Sequence, residues 1–203
     1  METTHNPSES FDEKQSLQVI KEMIQLSRRK LRNDGILFIL WGWISFITYM
    51  LEYFVQTLPH TYQMTLFKGY ATTLLPIMGI IFSAIYLYRE NRKATTYIGV
   101  ALRYVWISLF TGMVLVNLIQ YNVLHTITFE LQLPVLMVMI AFAVVVTGGI
   151  LRSKMVVAGG ICFGLLAYLA SWFPLSTQLL IEAIAWLIAF IIPGHILYAQ
   201  RKN

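Results

Sequence analysis

The stretch VLMVMIAFAVVV, from Val135 to Val146, is an unbroken run of apolar residues. It is apolar on every face of a helix and lacks the polar and apolar alternation that the strands of a membrane β-barrel require. A backbone surrounded by lipid must satisfy its own hydrogen bonds, and a single helix does this within one segment. The stretch therefore predicts a transmembrane helix, which we place at residues 130–151.

Five more apolar runs lie along the chain, at residues 36–56, 70–88, 97–118, 155–173 and 178–199. Each is close to the roughly 20 residues that a helix needs to cross a bilayer. Charged residues make up 12% of the chain, about half of what a soluble protein carries. We therefore predict an all-α fold: a polytopic bundle of six transmembrane helices at residues 36–203, after a polar N-terminal segment with an amphipathic helix at residues 1–35.

The lysine and arginine residues predict the orientation of the bundle. Apart from Arg103, which lies inside the third run, they lie before the first apolar run, after the second, after the fourth and after the sixth, whereas the alternate loops contain only Lys68. Basic loops face the cytoplasm in most membrane proteins, so both termini are predicted to be cytoplasmic. This distribution accounts for the net charge of +5 without a nucleic-acid partner.

The segment before the first run has the pattern of an amphipathic helix. Residues 10–13, Ser-Phe-Asp-Glu, have the composition of a capping box, and Gly35 is expected to end the helix in a left-handed conformation. Such a helix either lies on the membrane surface or docks onto a cytosolic or membrane protein, and both interpretations stay open. Its apolar face would consist of Leu17, Ile20, Met23, Ile24 and Leu31.

The fifth run carries a stripe of small residues on one helical face: Gly160, Gly164, Ala167 and Ser171. Small residues let two membrane helices approach closely, so the stripe predicts helix packing. The partner is either another helix of this chain or a second copy in a homo-oligomer. The single cysteine, Cys162, lies in the same run, and one thiol forms no disulfide framework within the chain.

The carboxylates near the membrane are the most informative polar residues, because an unpaired charge at the bilayer centre costs about 3 kcal/mol or more. In the predicted orientation they gather on the outer side, where Lys68 is the available cation. Either they form an outward-facing pocket that binds a cation or exchanges a proton, or each is hydrated and unconnected. The candidate pocket comprises Glu52, Glu182, Glu130, His125, His60 and Tyr49.

The opening of the chain carries a resemblance. Residues 16–24 (SLQVIKEMI), with Arg29 and Leu31, run into residues 35–43 (GILFILWGW). This opening resembles that of a group of uncharacterised small bacterial membrane proteins, which also begin with an amphipathic helix and a Trp-Gly-Trp first span. The resemblance implies a six-helix protein of the bacterial inner membrane, and it implies no activity and no site residues.

Three classes of function stay open from the sequence. The chain has no HExxH motif, no GxSxG motif and no P-loop, so a hydrolase is poorly supported, and we predict no cofactor and name no metal. The leading hypothesis is a non-enzymatic sensor or accessory protein that acts through a partner. The alternative is a small transporter or channel subunit with Glu52 and Glu182 as its ion or proton site, and the third is a membrane enzyme of unrecognised chemistry.

Overall fold

The structure, a computed structural model, describes Gln18 and residues 35–57, 62–91 and 97–199. Of these residues 93% are helical and none is in a strand, which confirms the all-α prediction for the described part of the chain. A π-helix, Leu187–Ile191, joins the last two α-helices into one continuous helix, Leu175–Ala199. The helices are α1 Gly35–Thr57, α2 Tyr62–Asn91, α3 Tyr97–Leu124, α4 Phe129–Ile150, α5 Lys154–Ala170, α6 Leu175–Trp186 and α7 Ile192–Ala199.

Five of these helices are long and apolar enough to cross a membrane: α1, α2, α3, α4 and the continuous helix α6–π–α7. Helix α5 is also apolar but has 17 residues, which is at the lower limit for crossing the hydrocarbon layer. The molecule is therefore a multi-pass helical membrane protein. Six crossings, with α5 as the shortest, stay a prediction, and the apolar face formed by Leu17, Ile20, Met23, Ile24 and Leu31 lies outside the described residues.

The structure corrects the expectation for Gly35. This residue begins α1 as part of the helix, and no described glycine has a positive φ angle. A Cβ atom at Gly35 would lie 3.1 Å from the carbonyl oxygen of Gly194 and 3.1 Å from Cβ of Leu197. The glycine is therefore explained by the close approach of α1 to α7, and not by a left-handed helix end.

The helices differ in how many of their residues are buried. In the most apolar stretch of α2, 6% of the residues are buried, whereas the share is 44% in α4 and 56% in α6–π–α7. Helix α5 packs against α4, α6 and the π-helix, and α3 packs against α4. Helices α4, α5 and α6–π–α7 therefore form the centre of the bundle, and α2 lies at its periphery.

An aromatic cluster around Phe190 joins four helices at the π-helix. Pro193 has no N–H to donate to the carbonyl of Ala189 four residues earlier, and the helix widens into the π-helix at this point. Phe190 is 1% exposed, and neighbouring rings surround it on several sides. Its ring centroid lies 5.2 Å from that of Phe38 in α1, 6.5 Å from Trp106 in α3, 6.1 Å from Phe163 in α5 and 4.3 Å from Trp186 in α6.

Candidate functional site

Glu182 is a buried carboxyl group inside the bundle. It is 1% exposed, and it lies seven residues after the start of α6 at Leu175, or about 10 Å along the helix axis. The helix begins earlier than the predicted span, so Glu182 lies two turns from its start instead of one. Among the described residues no lysine or arginine forms an ion pair with it. Burying a carboxyl group inside a membrane bundle costs free energy, and for that reason alone Glu182 is a candidate for a functional site.

Two donors lie beside the Glu182 carboxyl group: the hydroxyl of Tyr49 from α1 and the indole N–H of Trp186, one turn further along α6. Neither contact has the length and angle of an ordinary hydrogen bond, so both carboxyl oxygens and the indole nitrogen lack a full partner. Buried polar groups in folded proteins nearly always have partners, and an exception calls for an explanation. Glu182 and Tyr49 therefore form the centre of the candidate site.

The position of Tyr49 follows from the packing of α1 against the last helix. Gly35 contacts Leu197, and Gly42, seven residues later, approaches Ile191, where a Cβ atom would lie 2.8 Å from Cγ1. Tyr49 follows after another seven residues and meets Glu182. Positions seven apart lie on nearly the same helical face, so two glycines and Tyr49 form one antiparallel contact with α6–π–α7.

Glu52 lies further along α1 and has a different environment. Its carboxylate forms an ion pair with Nζ of Lys68 from α2 at 2.6 Å, and both side chains are about one quarter exposed. The carboxylate also lies close enough to act electrostatically on Tyr49. Lys68, the cation that the sequence predicted for all the outer carboxylates, thus pairs with Glu52, and Glu182 takes part in no ion pair among the described residues.

Glu130 contacts the last helix through its backbone. The residue is exposed at the start of α4, but its carbonyl oxygen accepts a hydrogen bond of 3.1 Å from Nε2 of Gln178. This carbonyl needs an outside donor because Pro134, four residues later in α4, has no N–H. Nε2 of Gln178 also donates to the carbonyl of Phe173 at 2.9 Å. Gln178 thereby ties α6 to the start of α4.

Sequence reasoning missed Gln178. It is 2% exposed, and it lies one turn before Glu182 on the same face of α6. Its Oε1 atom has no partner among the described residues. Two signals were available: the four-residue spacing between Gln178 and Glu182, and the proline in α4 that leaves a carbonyl without its helical donor.

The two histidines of the candidate pocket are not shown to join the buried group. His125 directly follows α3 in an exposed bend with a φ angle of 53°, and His60 lies outside the described residues. The part of the chain that the structure describes contains no cluster of three side chains able to hold a metal ion. The group that the structure brings together is therefore Tyr49, Glu52 and Glu182.

The small-residue stripe of α5 lies against α4 of the same chain. A Cβ atom at Gly160 would lie 2.9 Å from the backbone nitrogen of Val145, so only glycine permits this approach. Gly164 faces Ala141, and Ala167 is fully buried. Ser171 lies exposed after the last turn, where its Oγ donates to the carbonyl of Tyr168 at 2.7 Å. Cys162 points away from this contact and is exposed.

Comparison of the chain with protein families, with curated proteins and with solved structures gives no match. The interpretation of the site therefore depends on its own chemistry. A buried carboxyl group lies beside a tyrosine hydroxyl from a neighbouring helix and an indole N–H from its own helix, in a helical integral membrane protein.

Proposed function

We propose that this chain is a non-enzymatic membrane protein that acts as a sensor for, or an accessory to, a partner protein. The observation that carries the proposal is the location of Tyr49 and Glu182. They meet across the contact between α1 and α6, and Glu182 is sealed from the surroundings at 1% exposure. Polar groups that meet between two helices in a packed interior favour a function in which the helices rearrange. A transporter would instead need a continuous passage for its substrate.

Helix α1 is the element that would transmit such a change. Gly35 and Gly42 hold it close to α6–π–α7, and Tyr49 meets Glu182 on the same face. Because the contact lacks full hydrogen bonds, an arrangement that satisfies these groups would compete with the present one. A π-helix often marks a functional position in a helix, and here it lies opposite Gly42.

The segment before α1 supplies the surface for the partner in this proposal. Residues 10–33 carry the predicted amphipathic pattern and lead directly into α1. A shift of α1 would therefore move the docking face formed by this segment. An apolar helical face with anchors at positions such as Ile20 and Ile24 is typical of helix recognition by a groove in a partner.

The test uses the full-length chain in its native membrane with a photo-crosslinking residue at Ile20. The control carries the same residue at Glu22, which lies on the opposite side of the predicted helix. We expect a specific crosslinked protein from position 20 and much less of it from position 22. Deletion of residues 10–33 should abolish co-purification of that protein while the bundle stays folded. Equal crosslinking from both positions, or co-purification that survives the deletion, would contradict the proposal.

The substitutions Glu182→Gln and Tyr49→Phe connect the partner to the buried contact. Each should change the crosslinking yield at position 20 by at least about threefold, an energy of roughly 0.7 kcal/mol. Glu130→Gln is the matched control, because the side chain of Glu130 is exposed at the start of α4 and its contact with Gln178 is made by its backbone carbonyl. An unchanged yield in Glu182→Gln and Tyr49→Phe would separate the partner surface from the buried site and refute this part of the proposal.

A second candidate function is a small transporter or channel subunit. The observation that favours it is the burial of Glu182 without a full partner, which is common in proton and ion pathways of membrane proteins. In liposomes, flux of protons or monovalent cations that is lost in Glu182→Gln, reduced in Glu52→Gln and kept in Glu130→Gln would support it. Flux equal to that of empty liposomes would favour the sensor or accessory function. Nothing in the described residues specifically favours the membrane enzyme, the third hypothesis from the sequence.

A further inference from the structure

An open groove of about 430 Å³ lies at the turn between α4 and α5, on the helix ends remote from the contact of Gln178 with Glu130. Its wall changes character along its length. The turn contributes Arg152, Ser153 and Lys154, and the following turns of α5 contribute Val157, Ala158 and Ile161. The groove is therefore cationic at the end of the helices and apolar further along α5.

The basic side chains at the cationic end of the groove are available to bind an anion. Arg152 and Lys154 are both exposed, and neither forms an ion pair with another described residue. The residues that line the groove include no aspartate or glutamate. The Ser153 hydroxyl adds a further polar group, since it makes no capping hydrogen bond to α5. An anion in the groove would therefore meet two cations and a hydroxyl without a competing carboxylate.

The apolar end of the groove is suited to contact with a lipid acyl chain. Ala158 and Ile161 are exposed, and the position next to Gly149 is open space in which an added Cβ atom would meet nothing within 4 Å. Arg152 follows the last residue of α4, Ile150, by two positions. In a membrane the ends of spanning helices lie at the level of the lipid phosphates, and the next turns face the acyl chains.

We propose that this groove binds an anionic phospholipid, with its phosphate held by Arg152 and Lys154 and an acyl chain lying along Val157, Ala158 and Ile161. Charge complementarity selects the head group, because basic pockets between membrane helices bind anionic lipids. Guanidinium and ammonium groups form short charge-assisted hydrogen bonds to phosphate. The site is independent of the proposed sensor or accessory function, since it involves neither Glu182 nor the segment before α1.

The test measures lipid binding to the full-length protein in a mild detergent by native mass spectrometry. The probes are phosphatidylglycerol and phosphatidylcholine with identical acyl chains. We expect phosphatidylglycerol to bind at least tenfold more tightly. The double substitution Arg152→Gln with Lys154→Gln should weaken its binding about thirtyfold, because each cation near a lipid surface contributes roughly a fivefold change in affinity.

A matched double variant controls for net charge. Arg201→Gln with Lys202→Gln removes the same charge from the end of the chain and should leave phosphatidylglycerol binding unchanged. If it weakens binding as much as the groove variant does, the attraction is a general effect of charge and the proposal fails. Equal binding of the two lipids would also overturn it, since the cations would then select nothing.

A third variant tests the apolar end without changing any charge. Ala158→Phe places a ring in the groove and should weaken binding of phosphatidylglycerol at least fivefold, a result that remains informative if the charge variant does not fold. Unchanged lipid binding in Ala158→Phe would refute the acyl-chain part of the proposal. Inorganic phosphate is the soluble probe, and we expect it to leave the thermal unfolding midpoint unchanged; a stabilisation equal to that by the lipid would indicate a free-anion site and overturn the proposal.

Discussion

Helices α2 and α5 are both apolar, but they relate to the rest of the bundle in opposite ways. Helix α2 has 30 residues, and 6% of the residues in its most apolar stretch are buried, whereas α5 has 17 residues and packs against α4, α6 and the π-helix. Lipid chains are as apolar as leucine, so removing apolar surface from lipid drives helix association only weakly. Hydropathy therefore places both helices in the membrane, and it does not decide which of them lies inside.

The close approach of helix backbones at small residues decides the inner position. Gly160 lets the backbone of α5 approach Val145 of α4, whereas α2 approaches the bundle through α1. Nε1 of Trp41 donates to Oγ of Ser83 at 3.1 Å, and Lys68 pairs with Glu52. The comparison predicts that equivalent substitutions should cost much more in the centre than in α2. Each prediction below is a difference in the free energy of unfolding, measured by detergent titration in mixed micelles.

The largest difference is expected between two phenylalanines. Phe190→Ala removes the ring that contacts four helices and should cost about 3 kcal/mol through lost packing and a residual cavity. Phe67 in α2 is 65% exposed, so Phe67→Ala should change the stability by less than about 0.5 kcal/mol. Similar costs at the two sites would break the distinction between centre and periphery.

The same change at two helical glycines comes next. A Cβ atom at Gly148 in α4 would lie 2.7 Å from the backbone nitrogen of Val157, whereas one at Gly69 in α2 would meet nothing within 4 Å. Gly148→Ala should therefore cost about 2 kcal/mol through overpacking. Gly69→Ala should be neutral or slightly stabilising, because alanine favours a helix over glycine. If Gly148→Ala left the free energy of unfolding unchanged, α4 and α5 could move apart at this point without a loss of stability, which would contradict the prediction.

A smaller, conditional effect is expected at Gln178. Gln178→Leu removes the donor to the carbonyls of Glu130 and Phe173 and should cost about 1 to 2 kcal/mol. In a Pro134→Ala background the restored N–H supplies a helical donor to Glu130, so the cost should fall by at least about 0.5 kcal/mol. Equal costs in both backgrounds would exclude the proline as the reason for the contact.

The smallest effect is expected where α2 meets α1. Ser83→Ala removes the acceptor for the Trp41 indole and should cost about 0.6 kcal/mol, the average for a side-chain hydrogen bond between membrane helices. Trp41→Phe should have a larger effect, since it also removes packing against Gly79. A cost above about 2 kcal/mol for Ser83→Ala would mean that α2 is held far more firmly than its exposure indicates.

Much of the fold could be predicted from the amino-acid sequence, whereas the candidate site could be predicted only in part. The apolar runs predicted where the helices lie because apolar length is a local property, although α2 begins eight residues before its predicted run and α3 ends six residues after its own. Gly35 was wrongly assigned to a helix end. Glycine permits both a left-handed backbone conformation and the close approach of another helix, and the neighbouring residues in the sequence do not distinguish the two. The importance of Gln178 was missed because its acceptor, the carbonyl of Glu130, lies 48 residues away.

The amino-acid sequence determined that this chain is a helical membrane protein, because the energy of placing apolar and charged groups in lipid is set residue by residue. It also determined that few carboxyl groups lie at membrane depth. Only the tertiary structure decided their roles: Glu52 pairs with Lys68, Glu130 offers its backbone, and Glu182 is enclosed beside Tyr49. Charge pairing depends on distances of a few ångströms between helices, and those distances are set by glycine contacts far along the chain.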